Sequence, residues 1–221
     1  MNSKKKLITL ITSVALIVAI GVGATLAYLT QKTDTVTNTF TIGSYETQAL
    51  SLFEHKVVKN VDTGDYAKTT DTTTTGNTYT AILPGTTLSK DPTMTLAKNS
   101  PSSFLVMKAT GLNQLPAGIS VADLDSNHWT QITVPGASAN DTYYIYCPNG
   151  NGQAGYLTAT ELSSAAVTTA PLFTRLSVAS SFNGANIGNL VFEGCAVQYG
   201  SDMGTNYMTS VVSALPADFI A

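Results

Sequence analysis

Side chains able to do acid–base, nucleophilic or metal chemistry are few in this chain of 221 residues: two histidines, His55 and His128, and two cysteines, Cys147 and Cys195. A hydrolase needs a nucleophile with a base beside it, or a metal with an open coordination position. Neither histidine lies in a His-Glu-x-x-His or related zinc spacing, and no Gly-x-Ser-x-Gly turn presents a serine. Glu54 and His55 are neighbours in sequence, so on a strand they point to opposite faces and cannot share a metal. His55 reads as a surface strand residue, and His128, beside Trp129, as a packed or solvent-bridging one. Asp62/Asp65 and Asp123/Asp125 fall in polar stretches, where solvation explains them and weak calcium binding is the alternative. The expectation is no catalytic residue, no metal and no cofactor.

The elements that would position these groups are mostly strands. Val36, Phe40 and Ile42 share one face of an alternating segment with threonines opposite, and Ala49–Val58 reads as a second strand. Residues 62–77 are rich in Thr, Asp and Gly without apolar periodicity and read as a solvated loop. Thr78–Leu83 alternates before the Pro84-Gly85 turn; Thr93–Leu96 is short; Ser103–Thr110 is apolar on both faces and belongs in the middle of a sheet. Val121–Leu124 suggests a helical turn and His128–Val134 a strand. Tyr143–Tyr146 and Gly155–Thr158 suggest a hairpin around Cys147-Pro-Asn-Gly-Asn-Gly-Gln-Ala. Leu172–Val178 and Leu190–Tyr199 are the last strands, and Gly204–Leu215 alone has helical spacing, with Pro216 as its stop. Many short strands between Gly, Pro and Asn turns predict an all-β, jelly-roll-like β-sandwich with a short C-terminal helix.

The first 43 residues bear most on function. Lys4-Lys5-Lys6 precedes an apolar run from Leu7 to Leu29. The lysines hold the N-terminus in the cytoplasm, so the chain beyond residue 30 is exported. A spanning helix needs about 20 apolar residues and a cleavable signal roughly 7–15. Leu7–Ile20 fits the shorter class, Gly21 and Gly23 loosen the helix, and Thr25-Leu26-Ala27 offers small side chains for cleavage between Ala27 and Tyr28. A retained anchor is the alternative. The segments read as a signal peptide (1–27), a donor-strand-like segment (28–43) and a β-sandwich domain (44–221). No sorting or lipidation signal suggests covalent attachment to the wall.

Charged residues make up 11% of the chain, against about 25% usually. Without the three leader lysines, eight basic residues face fourteen acidic ones; that balance argues against nucleic acid and anionic lipid as partners. The membrane enters only through an uncleaved leader. In an oxidising exterior Cys147 and Cys195 could close a loop of about 50 residues, worth roughly 4 kcal/mol. Equally, they could be two buried small hydrophobes. Both flanks, Tyr143–Tyr146 and Val191–Gly194, read as strands, so either reading stands. Two isolated cysteines do not suggest a metal.

Gly21-Val22-Gly23-Ala24-Thr25-Leu26-Ala27-Tyr28, followed by Phe40-Thr41-Ile42-Gly43, resembles the N-terminus of the TasA/camelysin family of Gram-positive exported proteins. In the body, Ile82-Leu83-Pro84-Gly85 with Lys90-Asp91-Pro92, Asn99-Ser100 with Phe104–Lys108, Asn127-His128-Trp129, Pro171-Leu172-Phe173 and Ala196-Val197-Gln198 resemble short elements of the same family. The resemblance implies processing by a dedicated signal peptidase (SipW), a jelly-roll-like sandwich, and assembly into extracellular matrix fibres by donor-strand exchange. Camelysin is classed as a metallopeptidase, but zinc ligands are not recognisable in this chain, and that activity is not expected.

A segment beginning Tyr28-Leu29 and running through Val36, Phe40 and Ile42 is extended, Thr-rich and free of Pro and Gly up to Gly43. Such a strand can add to an open sheet edge of another copy, or of a paralogous matrix subunit. The reading is a secreted, non-catalytic structural protein of the cell surface or biofilm matrix. The alternatives are a monomeric or anchored surface-binding module using Tyr143, Tyr144, Tyr146 and Trp129 on a glycan, and a secreted metallopeptidase.

Overall fold

The computed structural model describes residues 49–183 and 187–221. The expected cleavage point between Ala27 and Tyr28 and the donor-strand residues Leu29, Val36, Phe40 and Ile42 lie outside the described residues. Within them the chain forms eleven strands: β1 (Leu50–Lys59), β2 (Tyr66–Thr73), β3 (Thr87–Ser89), β4 (Thr93–Leu96), β5 (Ser103–Thr110), β6 (Ile119–Ala122), β7 (Trp129–Ile132), β8 (Asp141–Tyr146), β9 (Val167–Thr168), β10 (Arg175–Val178) and β11 (Val191–Gln198). A seven-stranded sheet has the order β6-β10-β3-β2-β1-β4-β9, and a four-stranded sheet the order β11-β5-β8-β7. Pairing is antiparallel except at Tyr66 and Leu88, where β2 and β3 run parallel. This is the all-β sandwich expected from the sequence, with one of the two sheets curled into a half-barrel.

Strand β5 explains the layering. Its seven residues from Ser103 to Ala109 are buried because both faces meet a core. Leu105, Met107 and Ala109 point between the sheets, toward Leu88, Met94, Leu96 and Leu176. Phe104 and Val106 point the other way, into a second core with Tyr143, Ile145 and Val197. That outer face is covered by helices α2 (Tyr207–Ser213) and α3 (Ala217–Ile220), through Val211 and Phe219, with Leu215 of their connection between them. Lys108, on the same face, is buried, with its ammonium 2.6 Å from Glu193 Oε2 and 5.5 Å from the centroid of the Phe219 ring. The Tyr143 hydroxyl lies 3.3 Å from the carbonyls of Phe219 and Ile220 and ties down the same helix.

Several elements differ from the sequence reading. Residues 66–73, expected as loop, form β2: pairing along β1 satisfies the backbone, and the exposed positions are filled by Ala67, Lys68, Thr70, Asp71 and Thr72, so no apolar alternation marks the strand. Thr78–Leu83 is irregular instead of extended in a sheet, and Ala81 has φ 48°. Side chains hold it: Tyr66 Oη accepts from Thr80 N (2.8 Å), and Lys59 Nζ donates to the Ala81 carbonyl (2.7 Å). Of the turn expected at Val121–Leu124, Val121 and Ala122 are the end of β6, paired with β10, and the chain bends only after them, with Asp123 at φ 60°. The hairpin around Cys147 is absent because β8 takes β7 and β5 as partners, leaving Leu157 a single bridge to Ser103.

The helices also differ. Helix α1 (Ala159–Ser164) has a capping box in which Thr158 and Glu161 satisfy each other's backbone donors, a Thr-x-x-Glu signal that the sequence reading passed over. The expected Gly204–Leu215 helix begins only at Tyr207, since Gly204 has φ 58° and ψ −155°, outside the helical region. Pro216 both ends that segment and stands at the N-cap of α3.

Candidate functional site

The longest strand at a sheet edge is β11, eight residues paired to β5 from Val191 opposite Thr110 to Gln198 opposite Ser103. No strand among the described residues pairs with its other flank. The other edge strands have two to four residues. Short edges are the usual protection against unwanted pairing, and a long open one is a template for another strand. Along β11, Phe192 and Ala196 join the core between the sheets, while Cys195 and Val197 join the outer core. Gly194 is where the two sheets touch. A Cβ there would stand 2.8 Å from Met94 Cε and 3.6 Å from Leu50 Cδ2, so glycine is what allows the close approach.

Toward Val191 the sheets part. A cavity of about 240 Å³ lies among Leu52, Glu54, Pro92 and Phe192. A larger cleft of about 650 Å³ continues from it, with Leu88, Leu176 and Phe182 and the polar Asn77, Thr78 and Asn189 all in its walls. Lys90 borders both. Val191 is 49% exposed at the mouth. The irregular segment from Thr75 to Ile82 forms the opposite wall.

A buried ion pair stands at the junction. Glu54 continues the inward face begun by Leu50 and Leu52, and it is 5% exposed; Lys90 is 7% exposed. Lys90 Nζ donates to Glu54 Oε2 at 2.8 Å and lies 5.1 Å from the centroid of the Phe192 ring. Glu54 Oε1 accepts from Asn77 N (2.9 Å) and Asn77 Nδ2 (3.0 Å). The Asn77 amide also takes the place of a strand partner. Where the β1–β2 register shifts between His55 and Val57, its Oδ1 accepts from Val57 N (3.1 Å) and its Nδ2 donates to the His55 carbonyl (2.8 Å). Tyr79 donates to the Ser89 carbonyl, and burial, reinforced by the charges of Glu54 and Asp91, pushes its phenol well above the ordinary value, so it stays a neutral donor.

The groups singled out in the sequence are placed elsewhere. His55 Nδ1 is 2.7 Å from Asp91 Oδ2, with Lys68 Nζ 3.6 Å from the same oxygen. His128 Nδ1 is 2.8 Å from Asp125 Oδ2, and its ring stacks on Tyr146. The remaining acidic side chains considered for calcium include Asp65, which accepts from Thr87 N, and Asp123, which pairs with Arg175. Among the described residues no three His, Cys, Asp or Glu side chains gather as a metal would require.

Cys147 and Cys195 are free thiols, so the disulfide weighed from the sequence is not made. The register gives the reason: Cys195 lies opposite Val106, Val106 opposite Ile145, and Cys147 is two residues beyond. Two strand spacings and two residues of rise separate their Cα atoms by roughly 12 Å, past the ~7 Å a disulfide spans. Burial pushes the Cys195 thiol up to about 11, with Asp218 adding to it, and burial also raises Cys147. Protonated thiols of this kind are poor nucleophiles.

The aromatic residues proposed for a glycan face are inside. Trp129, Tyr143, Tyr144 and Tyr146 are all buried, and Trp129 Nε1 donates to the Ala170 carbonyl at 3.0 Å. They pack the sheets and offer no platform for a sugar. In the sequence Glu54 enters only as a neighbour of His55 and Lys90 only within Lys90-Asp91-Pro92, and neither points to a pair, although an acid on the face set by Leu50 and Leu52 was a signal that something interior must neutralise it.

No family model, curated protein or solved structure matches this chain.

Proposed function

We propose that the chain is a secreted, non-catalytic structural protein of the cell surface or biofilm matrix, assembled by donor-strand exchange, as the TasA/camelysin resemblance implies. The observation that carries the reading is the eight-residue edge of β11, which no strand among the described residues pairs on its outer flank, beside a cleft between the sheets. After removal of the leader by its signal peptidase, residues 28–43 of one copy pair with that edge on the next, or on a paralogous subunit. A contact of this kind does not close on itself and produces a filament.

Magnitudes say where the affinity must come from. Roughly eight main-chain bonds contribute about 1 kcal/mol each. Ordering each donor residue costs about 1–2 kcal/mol. Main-chain pairing therefore does no better than break even, and the net gain rests on burying Val36, Phe40 and Ile42, at about 1.5–3 kcal/mol each.

Negative-stain electron microscopy of chains beginning at Tyr28 and at Gly43 tests the proposal. Filaments are expected from the longer chain alone. Dispersed particles from both would reject self-assembly.

A further inference from the structure

Glu54 touches two groups that can react with each other. Its Oε2 accepts from Lys90 Nζ at 2.8 Å, and its Oε1 accepts from Asn77 Nδ2 at 3.0 Å. An amine is a nucleophile, and a carboxamide is an electrophile whose nitrogen needs a proton in order to leave. One carboxylate thus lies against both the attacking nitrogen and the departing one. Such a reaction also needs a donor for the oxygen on which charge develops. Val57 N–H donates to Asn77 Oδ1 at 3.1 Å. Glu54 and Lys90 are buried, and the centroid of the Phe192 ring lies 5.1 Å from Nζ, so little water surrounds the pair. The other buried lysine among the described residues, Lys108, lacks this set: it meets Glu193, and no carboxamide shares that carboxylate.

We propose that the chain joins Lys90 to Asn77 by an amide bond, with Glu54 carrying the protons and neither a second enzyme nor an oxidant involved. One proton passes along the 2.8 Å bond from Nζ to Glu54, leaving an amine beside a carboxylic acid. The nitrogen lone pair attacks Asn77 Cγ, and the carbonyl electron pair moves onto Oδ1, where the Val57 N–H stabilises it. Glu54 gives its proton to Nδ2 and takes a second one from Nζ. The carbonyl then re-forms and the Cγ–Nδ2 bond breaks. Ammonia departs, carrying that second proton as ammonium. A lysine ammonium and a carboxamide have become a secondary amide and free ammonium, and Glu54 is ionised as at the start. Holding reactants in one place can equal an effective concentration on the order of 10⁵ M, which is how an otherwise inert amide is reached.

The bond would fasten the irregular segment from Thr75 to Ile82 to the connection between β3 and β4, where Lys90 sits. The two cysteines, both free thiols, supply no such staple. Each chain reacts once, so the reading of a non-catalytic protein stands. Nor does the crosslink rest on strand exchange, since a fibre subunit and a single particle would carry it alike.

The test is trypsin digestion of the full chain, folded and then denatured, read by mass spectrometry. Acylated Lys90 is no longer a trypsin site. Residues 69–98 should therefore appear as one peptide, lighter than its sequence by one ammonia and giving no backbone fragments between 77 and 90. Glu54→Gln keeps an oxygen for Asn77 but relays no proton, and it should restore both the full mass and the cut after Lys90. Lys90→Met should give the same peptide at its full sequence mass. A parent chain cut after Lys90 at full mass would refute the proposal. So would a loss of ammonia with Lys90 still cut, the mark of a succinimide at Asn77. A crosslink that survives Glu54→Gln would overturn the role given to Glu54. Melts of Asn77 variants lose hydrogen bonds and crosslink together, so mass carries the test, and the parent's mass decides even where a variant fails to fold.

Discussion

Replacing Asn77 with alanine should destabilise the sandwich far more than an amide at the surface of a β-protein ordinarily does. The side chain makes three bonds: it accepts from Val57 N at 3.1 Å and donates to the His55 carbonyl at 2.8 Å and to Glu54 Oε1 at 3.0 Å. Alanine leaves a strand N–H, a strand carbonyl and part of a buried carboxylate without it. Each deserted group costs about 1–3 kcal/mol when water cannot replace the partner. Val57 and His55 are half-buried, so water recovers part of the loss, and a total near 3 kcal/mol is the reasonable figure. For a folded body of this size that lowers Tm by roughly 6–12 °C. Asn113→Ala is the control: its Nδ2 makes an exposed bond to the Ala139 carbonyl at 2.8 Å, which should be worth about 0.5 kcal/mol or less. Urea and thermal melts of the two variants, run side by side, measure the difference. If Asn77→Ala falls within about 0.5 kcal/mol of the control, the amide is not standing in for a strand partner, and the account of the register shift in β1 is wrong.

The same geometry fixes two further outcomes. Mass spectrometry of unreduced protein should find Cys147 and Cys195 as separate thiols, and an oxidant should leave Tm unchanged; a 147–195 crosslink would contradict the strand order β11-β5-β8. The Glu161 carboxyl is held below its ordinary value, first by the Thr158 hydroxyl and then by the Thr158 backbone N–H. A depressed folded pKa adds stability that is present above the ordinary carboxylate value of 4.5 and lost as pH falls through the folded one. Amide exchange in α1 should therefore quicken on acidification below about pH 4.5, relative to the rest of the fold, and Thr158→Ala, costing about 1 kcal/mol, should weaken that extra acid sensitivity while the backbone N–H at 158 retains part of it.

The fold was legible where side-chain period and burial agree. Ser103–Thr110 announced a central strand because apolar residues on successive positions need two cores, and it received two. Strand β2 was illegible for the opposite reason: Tyr66 is its one buried residue, and the rest of its stability lies in main-chain pairing that leaves no mark on residue type. Tyr143–Tyr146 read correctly as a strand and wrongly as one arm of a local hairpin, since partner choice depends on residues as distant as Trp129 and Val106. The cleft was legible only in part. A strand-competent N-terminal segment is a property of sequence, but an open edge arises from which strand comes last in a sheet, and the Glu54–Lys90 contact spans 36 positions.

Both sheets are stitched together by pairs that lie far apart in the chain. Thr95 meets Thr168, Leu88 meets Leu176, and Val106 meets Cys195. Pairing of this kind is slow to form because long loops must close first. A nascent chain therefore cannot complete either sheet until β9, β10 and β11 have been synthesised, and the outer core stays uncovered until residues 207–220 arrive to roof it. A polypeptide that must be threaded through a translocon while still unstructured gains from such an order. If the chain is exported as proposed above, its latest segments hold the key to closure, and the body would set into its final shape only after they emerge.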